Sequence, residues 1–228
     1  MRKSMCANLI GCKYAKGRES KISLRYRLRR RTHEVLLAMK QFANTPIRDI
    51  IDLGTADARM LDAIHQKYQE AHCIGVEFNK DLVEFAKAKF PYLEIIQGDV
   101  QSLDFSNNSF DIAIAAAVIE HISDPLKMMN EVKRILRPGG IFILTSPDPF
   151  WEHLAILVGH LEKGQHQIVM NLKQLHDLAS KCGFSVLKIK KFMLSPIGIP
   201  FELTLEKVIH SLGLDFLMAN QLLVARRI

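Results

Sequence analysis

From residue 49 onward, short apolar runs alternate with stretches of helical periodicity, and this alternation leaves the chain few architectures. Residues 50–53, 73–77, 93–97, 111–115 and 141–145 are strand-like. Between them, residues 59–68, 82–89 and 125–136 have helical spacing, the last capped by Ser123 or Asp124 and stopped by the Pro-Gly-Gly at 138–140. Strands connected through helices at this spacing form a parallel sheet with helices on both faces, a doubly wound α/β fold. Past Pro147 the pattern continues with a helix over 150–161 placed like a lid. A helix over 171–181 follows, ended by Gly183 in a left-handed cap, then a strand over 184–192. A loop at 195–200, a helix over 201–212 and a last strand over 216–225 complete the chain.

With 228 residues, 48% of them hydrophobic, the chain can bury one large core without disulfides or metals. That composition excludes a collagen, a disordered chain and a disulfide scaffold. The longest apolar runs, near 112–119 and 154–158, are far shorter than the roughly 20 residues that cross a bilayer. The spacing divides the chain into a basic helical segment over 1–45 and a main domain over 46–228, with lid-like insertions at 150–167 and 195–212.

The net charge of +7 is unevenly spread. Residues 1–40 hold twelve basic side chains against Glu19 and Glu34, and the remaining 188 residues hold nineteen basic against twenty-two acidic. Leu24, Leu28, Val35 and Met39, with Thr32 filling the gap, follow one helical face, so this segment reads as a basic amphipathic helix. It is expected to pack on the main domain with its arginines in water. Its functional alternative is a grip on an anionic partner: a phosphate, a membrane surface or RNA.

Cys6, Cys12, Cys73 and Cys182 form neither a CxxC pair nor a zinc-type cluster, so no metal is expected and reduced thiols in a cytoplasm are the simplest reading. Leu9-Ile-Gly-Cys12 has the form of a lipoprotein cleavage box. Its apolar core of about six residues falls short of the 7 to 15 of a secretory signal.

Ligand sites on such sheets lie outside the carboxyl ends of the strands, where strand order reverses. The informative segment is Asp49-Ile-Ile-Asp-Leu-Gly-Thr-Ala-Asp-Ala-Arg-Met60, a strand entering a small-residue turn before a helix. Gly54 is followed by Ala56 and Arg59, which breaks a dinucleotide fingerprint, and no Walker lysine follows.

Asp52, Gly54, Ala56 and Ala58 stand where the class I S-adenosylmethionine-dependent methyltransferases place an acid and a G-x-G-x-G turn. Four further motifs resemble the family in order. They are Ile-Gly-Val-Glu-Phe, in which Glu77 ends the second strand, Gly98-Asp-Val100, Phe110-Asp-Ile-Ala-Ile-Ala-Ala-Ala-Val-Ile-Glu-His-Ile122, and Leu136-Arg-Pro-Gly-Gly-Ile-Phe142. The run covers 49–145 and is most similar to the broad quinone-biosynthesis-like subgroup. The resemblance implies a Rossmann-like, seven-stranded, mostly parallel sheet with an antiparallel last strand. It also implies S-adenosyl-L-methionine as cofactor, held by Asp52, Gly54, Thr55, Ala56, Glu77, Phe78, Asp99, Val100, Ala115 and Ala116. Glu77 would take the ribose hydroxyls, and Asp99 would lie near the adenine amino group. Ala56 and Ala58 replace two glycines of the family turn, so each methyl is expected to crowd the methionine moiety or restrict positive φ. The exit of the fourth strand lacks the Asn/Asp-Pro-Pro-aromatic tetrad of amino-group methylases acting on DNA adenine and glutamine.

Transfer from a sulfonium is an in-line displacement helped mainly by positioning, with a base needed where the acceptor must lose a proton. His121, beside the expected crevice, is the first candidate base and His166 the second; His153 and His160 share a face of the lid helix. Phe150, Trp151, Leu154, Leu157, Ile197, Ile199 and Phe201 make the two insertions apolar. They suit a small-molecule, lipid-linked or sugar-linked acceptor with hydrophobic surface, methylated at oxygen or carbon. The rival expectations are RNA methylation guided by the basic helix, and a non-catalytic S-adenosylmethionine-binding interaction module.

Overall fold

The computed structural model describes residues 17, 20–157, 167–195 and 197–228, the side chains of 155 and 156 aside. Cys6, Cys12, the box at 9–12, His160 and His166 lie outside these residues.

The helix α1 (Ile22–Phe42) precedes β1 (Asp49–Leu53), α2 (Arg59–His65), β2 (His72–Glu77), α3 (Lys80–Lys89), β3 (Glu94–Gln97) and β4 (Phe110–Ala116). The chain continues through α4 (Pro125–Ile135), β5 (Leu136–Pro147), α5 (Pro149–Leu157), α6 (Leu172–Lys181), β6 (Phe184–Phe192), α7 (Glu202–Ser211) and β7 (Asn220–Arg227). Seven strands form one sheet in the order β3-β2-β1-β4-β5-β7-β6. Only β7 runs against the rest, pairing antiparallel with both β5 and β6. Strand order reverses between β1 and β4, which pair in parallel from Ile50↔Ile112 to Leu53↔Ala115.

Successive strand residues feed opposite faces. Ile50, Ile112, Ile114, Ile141 and Ile143 pack under α1, α2 and α3, against Val35, Met39, Leu61, Ile64 and Val83. Ile51, Leu53, Ala113, Phe142 and Leu144 pack under α4 and α6, against Met128, Met129, Val132, Leu175 and Ala179. Both faces being covered explains the unbroken apolar runs of the central strands. The caps are local. The Asn79 side chain accepts the N–H of Asp81, Asp124 accepts that of Lys127, and Asn171 and Gln174 form a reciprocal capping box.

Two boundaries differ from expectation. The Pro-Gly-Gly at 138–140 lies inside β5 instead of ahead of it, because β5 pairs with β4 first at Leu136↔Phe110 and again at Ile141↔Ile112. The intervening residues bulge out. A Cβ on Gly140 would stand 2.9 Å from the Arg137 carbonyl oxygen and 3.0 Å from that of Asp111. The last strand starts at Asn220, not 216, because a 3-10 turn over Asp215–Leu217 first brings the chain back from α7.

Arg30 and Arg31 of α1 also depart from expectation, whereas Arg25 and Arg29 are exposed. Arg30 is buried, with its guanidinium 2.7–2.8 Å from both Glu206 carboxylate oxygens and 3.5 Å from Glu34. Arg31 donates to Asn220 Oδ1 at 2.9–3.0 Å. Leu24 and Leu28 are only half-buried. The outer half of α1 is therefore held by polar pairs, because α7 turns carboxylates toward it. No helix among the described residues is long and apolar enough to cross a membrane.

Candidate active site

At Leu53 the chain leaves the sheet into a turn where Gly54, Ala56 and Ala58 have φ of 71°, 53° and 57°. The N–H groups of Gly54 and Thr55 both donate to the Val76 carbonyl, at 2.8 and 3.0 Å, which seats the turn on the end of β2. Gly54 is required twice, for its positive φ and because a Cβ there would stand 2.5 Å from Val118 Cγ2. Val118 follows β4, so this contact brings the exits of β1 and β4 together at the reversal point. The two alanines adopt the glycine-like conformation despite a penalty of about 1 kcal/mol or more each. Ala58 is fully buried in the core under α1–α3, and Ala56 packs on Leu82 and Phe85. Both methyls thus have apolar protein neighbours.

Glu77 ties the first two strand ends together. One carboxylate oxygen accepts the Ala56 N–H at 2.9 Å and the other accepts the Asn79 N–H at 2.9 Å. Asp52 is buried and accepts the Thr55 hydroxyl at 2.7 Å. Thr55 fits because Gly75 opposite has no side chain: a Cβ there would lie 2.7 Å from Thr55 Cγ2. Burial first, and then the Asp52 carboxylate, push the Cys73 thiol up to about 11. Phe78 is three-quarters exposed at the mouth, its carbonyl accepting the Gln97 amide at 3.3 Å.

Asp99 accepts the Gln101 backbone N–H at 2.9 Å and its side-chain amide at 3.2 Å. The Gln101 carbonyl oxygen in turn accepts the Ser123 hydroxyl and the Asp124 N–H, each at 3.0 Å. Gln101 therefore links Asp99 to the start of α4, a role the spacing did not reveal. Val100 and Ala115 have side chains in the core and could meet a ligand only through backbone, whereas Ala116 is half-buried.

His121 closes a 3-10 turn over Ile119–His121 and has an exposed side chain. The Gln167 N–H donates to the Glu120 carbonyl at 2.7 Å, so the chain at Gln167 returns to the turn bearing His121. His153 is directed to the start of its own helix, Nδ1 lying 2.6 Å from the Pro149 carbonyl oxygen. On α5, the Trp151 indole donates to the Phe216 carbonyl at 3.2 Å, joining α5 to the turn after α7. Phe150, Leu157, Ile197 and Phe201 are exposed. Cavities of about 410 and 310 Å³ lie elsewhere, one beside Tyr92 and Glu94 at the amino ends of β2 and β3, the other between α1 and β6.

Residues 51–144 match the methyltransferase domain family. A probable S-adenosylmethionine-dependent methyltransferase of Mycolicibacterium smegmatis is 29% identical over 101 residues, 44% of this chain and 38% of that protein. The ubiquinone/menaquinone biosynthesis C-methyltransferase of Desulfotalea psychrophila is 25% identical over 174 residues, 66% of this chain and 71% of that protein. An uncharacterized transposon protein of Streptomyces fradiae is 30% identical over 155 residues, 62% of this chain. The match spans 44% and 38% of the lengths of the Streptomyces and Mycolicibacterium relatives.

Among solved structures, a putative methyltransferase in complex with the Haloferax volcanii Trm112 methyltransferase activator superposes with TM-score 0.72. It is 19% identical, with 95% of this chain and 96% of that one covered. A Thermotoga maritima S-adenosylmethionine-dependent methyltransferase, described as a possible histamine N-methyltransferase, gives 0.67 at 18% identity with 97% of both chains covered. Those two likenesses establish the fold, and residues 51–144, the segment that matches the methyltransferase domain family and is similar to S-adenosylmethionine-dependent methyltransferases, span the strands and turns of the site.

Proposed function

We propose that the protein methylates a small-molecule, lipid-linked or sugar-linked acceptor, at oxygen or carbon, in the crevice outside β1, β2 and β4. The observation that carries this reading is the set of three carboxylates, Asp52, Glu77 and Asp99, at the ends of three neighbouring strands around the turn at 54–58. Acidic walls suit a ligand with neutral ribose hydroxyls, an amino-bearing base and a cationic sulfonium. Bound there, S-adenosylmethionine supplies a methyl group on sulfur.

The chain's own residues then have separate tasks. Glu77, oriented by the N–H groups of Ala56 and Asn79, accepts the ribose hydroxyls. Asp99, steadied by Gln101, accepts the base amino group. Gly54, Thr55 and Ala56 line the turn, and Phe78 offers an aromatic face. Asp52 keeps Thr55 and the turn in place. His121, from its exposed position after β4, takes the proton of an acceptor that must lose one; His166 is the second candidate. The apolar side chains of α5 and of residues 197–201 flank the same end of the sheet and favour an acceptor with hydrophobic surface. RNA as acceptor is the weaker reading, because Arg30 and Arg31 are engaged within the protein.

Calorimetric titration with S-adenosylmethionine and S-adenosylhomocysteine tests this. Micromolar binding is expected, weakened about 10- to 100-fold in Glu77→Ala, the loss of a charge-assisted hydrogen bond. An intact protein that binds neither compound would overturn the reading and favour a non-catalytic interaction module that has lost the cofactor.

A further inference from the structure

Helix α7 is built inside out. Its carboxylates, Glu202 and Glu206, are each 5% exposed, while Leu203, Leu205 and Val208 are 49%, 41% and 49% exposed. The apolar surface continues through Ile197 and Phe201 before the helix and Leu212 and Phe216 after it. Two carboxylates are normally held inside only when fully partnered, and these are. Glu206 meets Arg30 and the Met193 N–H at 2.9 Å, while Glu202 accepts the N–H groups of Leu194 and Ser195 and the Tyr26 hydroxyl. These bonds fix the rotation of α7, and a fixed rotation keeps its leucines in solvent. Phe201, Leu205, Val208 and Leu212 recur every three to four residues and so share one side of the helix, and an exposed apolar stripe of this kind marks an interaction site.

Charge identifies the occupant. Lys21, Arg25 and Arg29 are exposed on the first turns of α1, beside this face. The Arg29 guanidinium lies 5.4 Å from the Tyr26 ring centroid, and a Cβ on Gly198 would stand 2.6 Å from the same ring, so the cation sits at the rim of the apolar loop. On α7 itself Lys207 is exposed, and Asp215 after it is engaged with His210. A second copy docked on this face would oppose these cations with the same cations. We propose that α7 with its flanking residues, ringed by Lys21, Arg25, Arg29 and Lys207, docks the protein on an anionic lipid bilayer. The helix lies in the interface plane with Phe201, Leu205 and Val208 among the acyl chains and the cations at the headgroups. An apolar or lipid-linked acceptor would then reach the crevice from the membrane, but the docking itself does not depend on the methyltransferase reading.

The test is flotation of the full chain with vesicles of phosphatidylcholine alone and of phosphatidylcholine mixed with phosphatidylglycerol. Binding to the mixed vesicles is expected at least about tenfold stronger than to the neutral ones, and to fall with added salt. The triple variant F201S/L205S/V208S and the pair R25E/R29E should each lose at least about tenfold, with an unchanged thermal midpoint showing intact folding. Ile228→Ser, an exposed position at the other end of the sheet, should bind as the parent does. Three results overturn the proposal: no flotation with either vesicle, a serine variant that still floats like the parent, or a soluble dimer that the serine variant dissociates while the parent ignores vesicles.

Discussion

Two left-handed alanines and one buried glutamate show how single residues carry the design. Ala56 and Ala58 hold positive φ where glycine would be unstrained, and both methyls are packed against apolar side chains. Burying a methyl stabilises by about 0.8 kcal/mol, which offsets much of the conformational cost. The turn can therefore keep its shape without three glycines. Burial raises the Glu202 carboxyl above its usual range, and the neighbouring Glu206 adds to this against the N–H donors of Ser195 and Leu194. A raised folded-state pKa means that this group's contribution to stability is fully present below the unfolded value of about 4.3 and is lost as pH rises through the folded value. The stability difference between the parent and Glu202→Gln, measured by urea unfolding from pH 4 to pH 7, should shift steadily in favour of the variant as pH rises. A difference independent of pH would refute this.

Among elements, α1 and α7 act as a pair. Their junction is Arg30 clamped by Glu206 and Glu34, with Glu34 also paired to Lys190 on β6. Removing one partner of a buried ion pair leaves an uncompensated charge, which typically costs about 3–5 kcal/mol. Arg30→Ala should lower stability by about that amount and expose α1 to limited proteolysis. The combination Arg30→Met with Glu206→Leu should recover most of the loss, because no unpaired charge remains. Equal losses in the single and combined variants, read from urea midpoints, would show that packing rather than charge governs the junction. The same scale explains the bulge in β5. The Pro-Gly-Gly resembles a helix stop, yet it serves as a strand irregularity that passes close to the Asp111 and Arg137 carbonyls.

For the whole molecule, the sheet order places the exits of β1, β2 and β4 at one end, so a ligand there clamps both halves of the fold. A ligand at 100 times its Kd stabilises the native state by about 2.7 kcal/mol, worth about 5 °C or more in a domain of this size. Saturating S-adenosylhomocysteine should raise the melting temperature by that amount, and the Glu77→Ala variant at the same concentration should show little of it. Similar shifts in both proteins would place the ligand elsewhere.

The sequence by itself determined the strand and helix alternation, the boundaries of β6, the cap at Gly183 and the acids at the strand ends, and it narrowed the cap of α4 to Ser123 or Asp124. These follow from period, punctuation and local hydrogen bonding, all of which act within a few residues. Only the tertiary structure decided where Arg30 and Glu206 meet, 176 positions apart, that Val118 fills the space over Gly54, and that Gln101, beside Asp99, is tied to Ser123 and Asp124 at the start of α4. It also decided which side of α7 faces inward. A helical stripe in isolation points its leucines to the core, but here the partners waiting on α1 are an arginine and a tyrosine. The helix turned its carboxylates to them, because a buried pair with its hydrogen bonds satisfied is a stable arrangement and a buried unpaired charge is not.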